Sequence, residues 1–213
     1  MSAVYPHIVP VAVVGVALSR ALALNPSANR RVALWGLRKH KSVRISFAVA
    51  ANDHLRIAVV DNGDQLDARR FQRALRFAAR DARKGVGPLQ RLTRLLEYLP
   101  VAIGRPILSV WSLFCCGFGV PILGVAGAPF GAALLSSVER FGLPAGDVPF
   151  VPFTRCAMVC SIGAISPAVI VRNGAPAVVD TVTVAVSFDH RVCDGAQITD
   201  LLDHFLAACY SAI

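Results

Sequence analysis

The residue with the clearest chemical potential is His190. It stands where an alternating pattern ends: Val182, Val184, Val186 and Phe188 are separated by smaller or more polar residues, which predicts a strand with one apolar face. An imidazole is largely neutral near pH 7 and can take a proton from an attacking thiol or hydroxyl. A strand end holds it rigidly, as a general base requires. Asp189 and Arg191 flank it, and Cys193, Asp194 and Gly195 follow. Gly195 is expected to permit a sharp turn. Ile198, Leu201, Leu202, Phe205 and Leu206 then share one face of a closing helix. Cys193 is near enough in sequence to suggest a nucleophile, but a small buried apolar residue is the plainer reading.

Other reactive side chains are less promising. Six cysteines stand at 115, 116, 156, 160, 193 and 209, with spacings that fit no zinc or redox motif. They read as buried thiols in a reducing compartment. His7, His40, His54 and His204 read as surface or packing residues, and no pair has metal-ligand spacing. No metal is expected.

The elements that must position His190 are legible in outline. Residues 8–24, rich in Val, Ala and Leu but interrupted by Arg20, predict a buried helix that ends at Asn25-Pro26. Val43, Ile45, Phe47 and Val49 alternate, and Leu55 to Val60 is strand-like, so Asn52-Asp53 is expected to turn a hairpin. Leu66, Phe71, Leu75 and Ala78 recur at helical spacing among Arg69, Arg70, Arg73, Arg76 and Arg80. Those arginines read as a solvated face, or as an attractor for phosphates or lipid. Residues 89–99 give a second amphipathic helix. Cys156 to Ala164 predicts a strand. Val169 to Val171 continues the sheet, and Arg172-Asn173-Gly174 turns into Ala177 to Val179.

Composition bounds the rest. The 213 residues suffice for one domain with a real core. Apolar content of 55% and net charge +9 are both high. The charge is uneven: residues 1–105 hold 18 Lys/Arg against 6 Asp/Glu, and residues 106–213 hold 4 against 7. No finger, RNA-binding or helix-turn-helix signature accompanies it, so nucleic acid is not an expected partner. From Pro106 to Ser137 there is no charge, yet three prolines and five glycines break the run. An interfacial hairpin on a membrane surface through residues 106–137 and an apolar subunit contact fit equally well, and an integral membrane protein is a third reading. The N-terminus lacks a basic leader and does not read as a signal peptide, so a cytoplasmic protein, peripheral at a membrane, is expected.

The run Ser187-Phe188-Asp189-His190-Arg191-Val192-Cys193-Asp194-Gly195-Ala196 resembles the catalytic signature of the 2-oxo acid dehydrogenase acyltransferases. These are dihydrolipoamide acyltransferase cores related in fold to chloramphenicol acetyltransferase. The resemblance covers about residues 8–85 and 135–213. The chain looks shortened at its N-terminus against that family, and carries a hydrophobic insertion at about 99–136. The resemblance implies a single α/β domain, a two-layer sandwich with a mixed sheet, of the chloramphenicol acetyltransferase type, with a short strand at Val32 to Trp35 after the first helix. It also implies acyl transfer from a coenzyme A or carrier thioester to a thiol or hydroxyl, with His190 as general base and no acyl-enzyme. The family draws an oxyanion donor from a serine in a Thr-Ile-Ser segment. Ser137 is the best match and Ser136 the alternative, although the flanking threonine and asparagine are absent here. Asp194 falls at the position that organises the active-site loop. Asp189, Arg191 and Gly195 would support it. The family unit is a homotrimer with its site in a channel between subunits. The substrate would be a coenzyme A thioester, with no metal and no lipoyl group attached to this chain. A non-catalytic homologue acting as scaffold or partner subunit is the alternative.

Overall fold

The computed structural model describes residues 9–33, 35–51 and 54–212. Helix α1 spans Pro10–Leu24, with proline in its first turn, where a missing N–H costs nothing. It is buried on almost every side, which explains its nearly unbroken Val, Ala and Leu content. Asn25 ends it: its side-chain amide donates to the Ala21 carbonyl at 2.7 Å and also meets His204 Nδ1 at 2.9 Å.

Strands β1 (Arg30–Ala33) and β2 (Gly36–Lys39) form a separate two-stranded hairpin. This corrects the expected strand at Val32 to Trp35: Trp35 lies in the turn, 76% exposed, and Leu34 falls outside the described residues. Strand β3 (Arg44–Ala51) pairs antiparallel with β4 (His54–Asp61), as the alternation predicts. Residues 52 and 53, where the turn is expected, lie outside the described part. Helix α2 (Ala68–Lys84) opens on Asp67, whose Oδ1 accepts from the Arg70 N–H at 2.7 Å, and closes on Gly85 at φ +68°. Helix α3 is Pro88–Glu97.

The uncharged stretch divides in two. Helix α4 (Val101–Ser112) runs into a π-helical turn, Leu113–Phe118. After a loop, Ala133–Ser137 is strand β5, buried inside the main sheet. The last residues of the expected insertion, 133–136, are thus sheet. Strand β6 is Met158–Ile162, shorter than expected, and β9 is Val184–Phe188. Between them β7 (Ser166–Arg172) and β8 (Ala175–Thr181) turn at Asn173-Gly174, both at positive φ. They pair with each other and form their own ribbon rather than continuing the sheet. Helix α5 (Gly195–Ala212) closes the chain.

The main sheet has the order β4-β3-β5-β6-β9. The β3–β5 and β5–β6 pairs are parallel and the outer pairs antiparallel, so the sheet is mixed and the fold is α/β. Helices α1, α2 and α5 cover one face through Ile45, Phe47, Leu135, Met158 and Cys160. A second, smaller core lies on the other face, where Trp111, Cys115, Cys116 and Phe130 pack on Leu134.

Two features of this packing are testable. A Cβ on Gly15 in α1 would stand 2.5 Å from the Phe71 ring, which is fully buried edge-on to Phe47. Gly15→Ala should therefore lower unfolding free energy by up to about 2 kcal/mol, the ~1 kcal/mol gain in helix propensity offsetting only part of the overpacking. Urea titration reads the loss, and adding Phe71→Leu should recover part of it. His40, after β2, has a ring nitrogen Nε2 with no hydrogen-bond partner. Burial, with Arg31 and Arg44 nearby, pushes its pKa down to about 4 from 6.5. The unfolded chain thus binds one more proton between those values, and stability falls as pH drops from about 6.5 to about 4. Denaturation across that window should show the slope, and His40→Gln should remove His40's share of it.

Candidate functional site

Strand β9 carries the motif to the sheet's end. Val184, Val186 and Phe188 turn toward α1 and α5, against Val14, Leu18 and Phe205. The Asp189 N–H still donates to the Ala157 carbonyl at 2.8 Å, so the strand pairing is continued by one bond. The chain then turns, with the Val192 N–H on the Asp189 carbonyl at 2.8 Å.

A clasp fixes this turn. The Asp189 carboxylate accepts from the Arg191 backbone N–H at 3.0 Å, from Nε at 3.0 Å and from Nη2 at 2.7 Å. These side-chain bonds, chiefly, hold its pKa below the usual carboxylate value. His190 is the apex between the clasped residues and is exposed. Among the described residues no hydrogen bond or ion pair is made by its ring.

Asp194 and Gln197 form a reciprocal cap on α5. Asp194 Oδ1 accepts from the Gln197 N–H at 2.9 Å, and Gln197 Oε1 accepts from the Asp194 N–H at 3.3 Å. This carboxylate anchors the helix that packs behind β9. Gly195 is a correction: it is not at positive φ, and a Cβ there would meet nothing within 4 Å, so the turn does not require glycine. Cys193 is buried at 2% exposure and its thiol is pushed up by that burial, so it faces the core rather than solvent.

His190 opens on a cleft of about 550 Å³, walled by Val32 of β1, by Phe150 to Pro152 and by Arg155. Arg155 is a site residue that the sequence reading missed. Its backbone is left-handed, φ +54°, and its guanidinium donates to Ser112 Oγ at 3.3 Å and to the Val32 carbonyl at 3.4 Å. Among the described residues it makes no salt bridge. The only signal in the sequence was a lone cation in an otherwise uncharged run, 148–171, just before β6.

The two serines lie elsewhere. The register aligns Ala133 with Met158 and Phe188 at one end of the sheet, and Ser137 with Ile162 and Val184 at the other. Four strand steps, about 13 Å, separate those ends. Within one chain the sheet therefore does not bring Ser137 or Ser136 to His190. Ser137 shares the helix-covered face with Leu135 and lines a second cleft of about 550 Å³, together with Arg76, Arg83 and Arg140. Its Oγ accepts from the Glu139 N–H at 3.4 Å. Ser136 falls on the opposite face with Leu134 and pairs with Ser161. Among the described residues no three His, Cys, Asp or Glu side chains are grouped to hold a metal ion. His54 begins β4 at the surface, and His7 lies outside the described residues.

The family model for the 2-oxoacid dehydrogenases acyltransferase (catalytic domain) matches residues 3–93 and 147–208. Among curated proteins none matches the chain. Solved structures share its fold. A probable dihydrolipoamide acetyltransferase from Listeria monocytogenes superposes with TM-score 0.69 at 21% identity, over 96% of this chain and 71% of that one. The cubic core of the pyruvate dehydrogenase multienzyme complex gives 0.68 at 18%, over 95% and 68%. Azotobacter vinelandii dihydrolipoamide acetyltransferase gives 0.65 at 21%, over 95% and 68%. That structure bears on the roles of a serine, a histidine and an asparagine in its catalytic mechanism.

The cap at Asp194 can be tested apart from any activity. Asp194→Ala should cost about 1 kcal/mol of unfolding free energy, whereas Asp194→Asn, which keeps an acceptor, should cost a few tenths. Equal losses in chemical denaturation would remove capping as this side chain's role.

Proposed function

The chain belongs to the 2-oxoacid dehydrogenases acyltransferase (catalytic domain) family, and from that premise we propose that His190 is its general base. The reaction is transfer of an acyl group from a coenzyme A or carrier thioester to a thiol or hydroxyl acceptor. As the acceptor sulfur or oxygen attacks the thioester carbonyl carbon, its proton passes to the imidazole. The carbonyl π electrons move to oxygen, giving a tetrahedral oxyanion. When the intermediate collapses, the C–S bond to the donor breaks and the leaving thiolate takes the proton from the imidazolium. The new ester or thioester is complete and no enzyme atom is acylated.

The observation that carries this reading is an exposed histidine at the apex of a clasped turn, on a cleft large enough for a substrate arm. The Asp189–Arg191 clasp positions the backbone, and Asp194 secures the helix behind it. The oxyanion needs a donor. Ser137, or Ser136 in its place, fills that role from a neighbouring protomer of a homotrimer, because the same chain's serines stand at the far end of the sheet. Members of this fold assemble: the cubic pyruvate dehydrogenase core is a multimer. Position 194 is an aspartate here, whereas an asparagine is the third residue studied in the Azotobacter vinelandii enzyme. The carboxylate is accordingly a positioning group, engaged with the start of α5.

His190→Ala should lower acyl transfer from acetyl-coenzyme A to dihydrolipoamide or a hydroxyl acceptor by about 10²–10⁴-fold with the oligomer intact. Loss of one oxyanion donor should cost about 10²–10³-fold in kcat. The shared site makes a sharper forecast. Mixing inactive His190→Ala protomers with inactive Ser136→Ala/Ser137→Ala protomers, under exchange, should restore a fraction of the activity. Mixed oligomers with no recovery, or a wild type silent toward every thioester and acceptor tried, would defeat the assignment.

A further inference from the structure

The part of the chain that the family model leaves unmatched includes an unusual surface. Ile103, Ile107, Val110, Phe114 and Phe118 recur at spacings of four, three, four and four along α4 and its π-helical end, and all are exposed. The stripe continues onto the β1–β2 hairpin: the Phe114 and Phe118 ring centroids are 5.7 Å apart, and Phe118 lies 6.0 Å from Trp35. The hairpin is tied there by Arg31, whose Nε donates to the Gly117 carbonyl at 3.4 Å. Arg38, Lys39 and Lys41 flank the tip, all exposed. Residues 30–33, 35–41 and 99–127, from which this surface is drawn, contain no aspartate or glutamate. Glu97, just before α4, is taken by Arg56 at 3.0 Å.

We propose that this face seats the protein peripherally on an anionic lipid bilayer. Aromatic rings with aliphatic side chains, rimmed by cations, suit the boundary between headgroups and acyl chains. The same helix, Val101–Phe118, is long and apolar enough to cross a membrane. It lies along the surface instead, because its other face is committed. Trp111, Cys115 and Cys116 are buried, and Ser112 Oγ donates to the Phe153 carbonyl at 2.7 Å. A second copy meeting this face by two-fold symmetry would set its cations against their own copies. The proposal does not rest on acyl transfer, and its test reads lipid binding alone.

Co-sedimentation of the full chain with phosphatidylcholine vesicles, with and without phosphatidylglycerol, decides the matter. Binding to the anionic vesicles should exceed binding to the neutral ones and should weaken as salt is raised. Phe114→Ser/Phe118→Ser should lower the partition coefficient at least tenfold. Arg38→Glu/Lys39→Glu should lower it by roughly tenfold or more on anionic vesicles. Circular dichroism checks that the variants fold. The charge variant, on an exposed hairpin, decides should the aromatic one not fold. No sedimentation with either vesicle overturns the proposal, as does binding indifferent to these substitutions. Vesicle-independent self-association abolished by Phe114→Ser/Phe118→Ser would assign the face to a second copy and overturn it as well.

Discussion

The pairing of β9 with β6 limits what one chain can do alone. Its register is held by burial: Val184, Val186 and Phe188 point at α1 and α5, and a slip by one residue would turn all three to the other face. That constraint places Asp189 at the strand's end, where the bidentate Arg191 clasp can form. It leaves His190 as the apex. The same register, read through the parallel β5–β6 pair, carries the serines to the far edge. Core packing, more than any contact of the imidazole itself, determines where the His190 ring stands.

The second face of the sheet shows how a chain with mean hydropathy +0.57 uses its apolar excess. The far face carries small polar residues, Ser46, Ser136 and Ser161, alongside Leu134 and Val159. Two of these hydroxyls are satisfied locally, Ser46 on the Phe130 carbonyl and Ser161 on the Gly146 carbonyl. Helices α3 and α4, the π-helical turn and the loop after it cover one side of this face. Trp111 and Phe153 meet Phe130 edge-on, at 6.4 and 5.6 Å. The uncharged stretch is therefore a wrap around the sheet: its end is central strand, its middle is core, and one side of its helix is left to solvent.

What the sequence revealed follows from how local each signal is. Strands β3 and β4, helices α1, α2 and α5, and β9 carry alternation, caps or helical spacing within their own residues. The hairpin β1–β2 does not: Arg30–Ala33 and Gly36–Lys39 are too short to alternate, and Arg31 and Trp35 fasten them to the π-helical turn. Strand β5 vanished into an apolar run with no charge to mark its start. The β7–β8 turn was plain, but alternation cannot say which strands will be neighbours. At the site, His190 and its flanking acid and base were readable because they are contiguous. Arg155, Val32 and Phe150 were not, because the cleft is assembled from three distant segments. Gly195 stands beside a turn, where glycine is frequent, yet the backbone there adopts no positive φ that would need it.

The ribbon of β7 and β8 bears on the subunit question. An isolated two-stranded hairpin is marginal in water, because it has no face on which to bury side chains. Here Val169, Val171 and Val178 are 71–78% exposed, and the two strands pair only with each other. Branched apolar residues so placed gain little from the fold of one chain, and they leave edges open to pairing. The ribbon springs from the end of the sheet that carries Ser137 and returns into β9, whose far end leads to His190. Burial of the ribbon against another chain would fix the segment that connects the two halves of the proposed site. The stability of the ribbon and the assembly of the proposed base with its proposed oxyanion donor would then depend on one event, association.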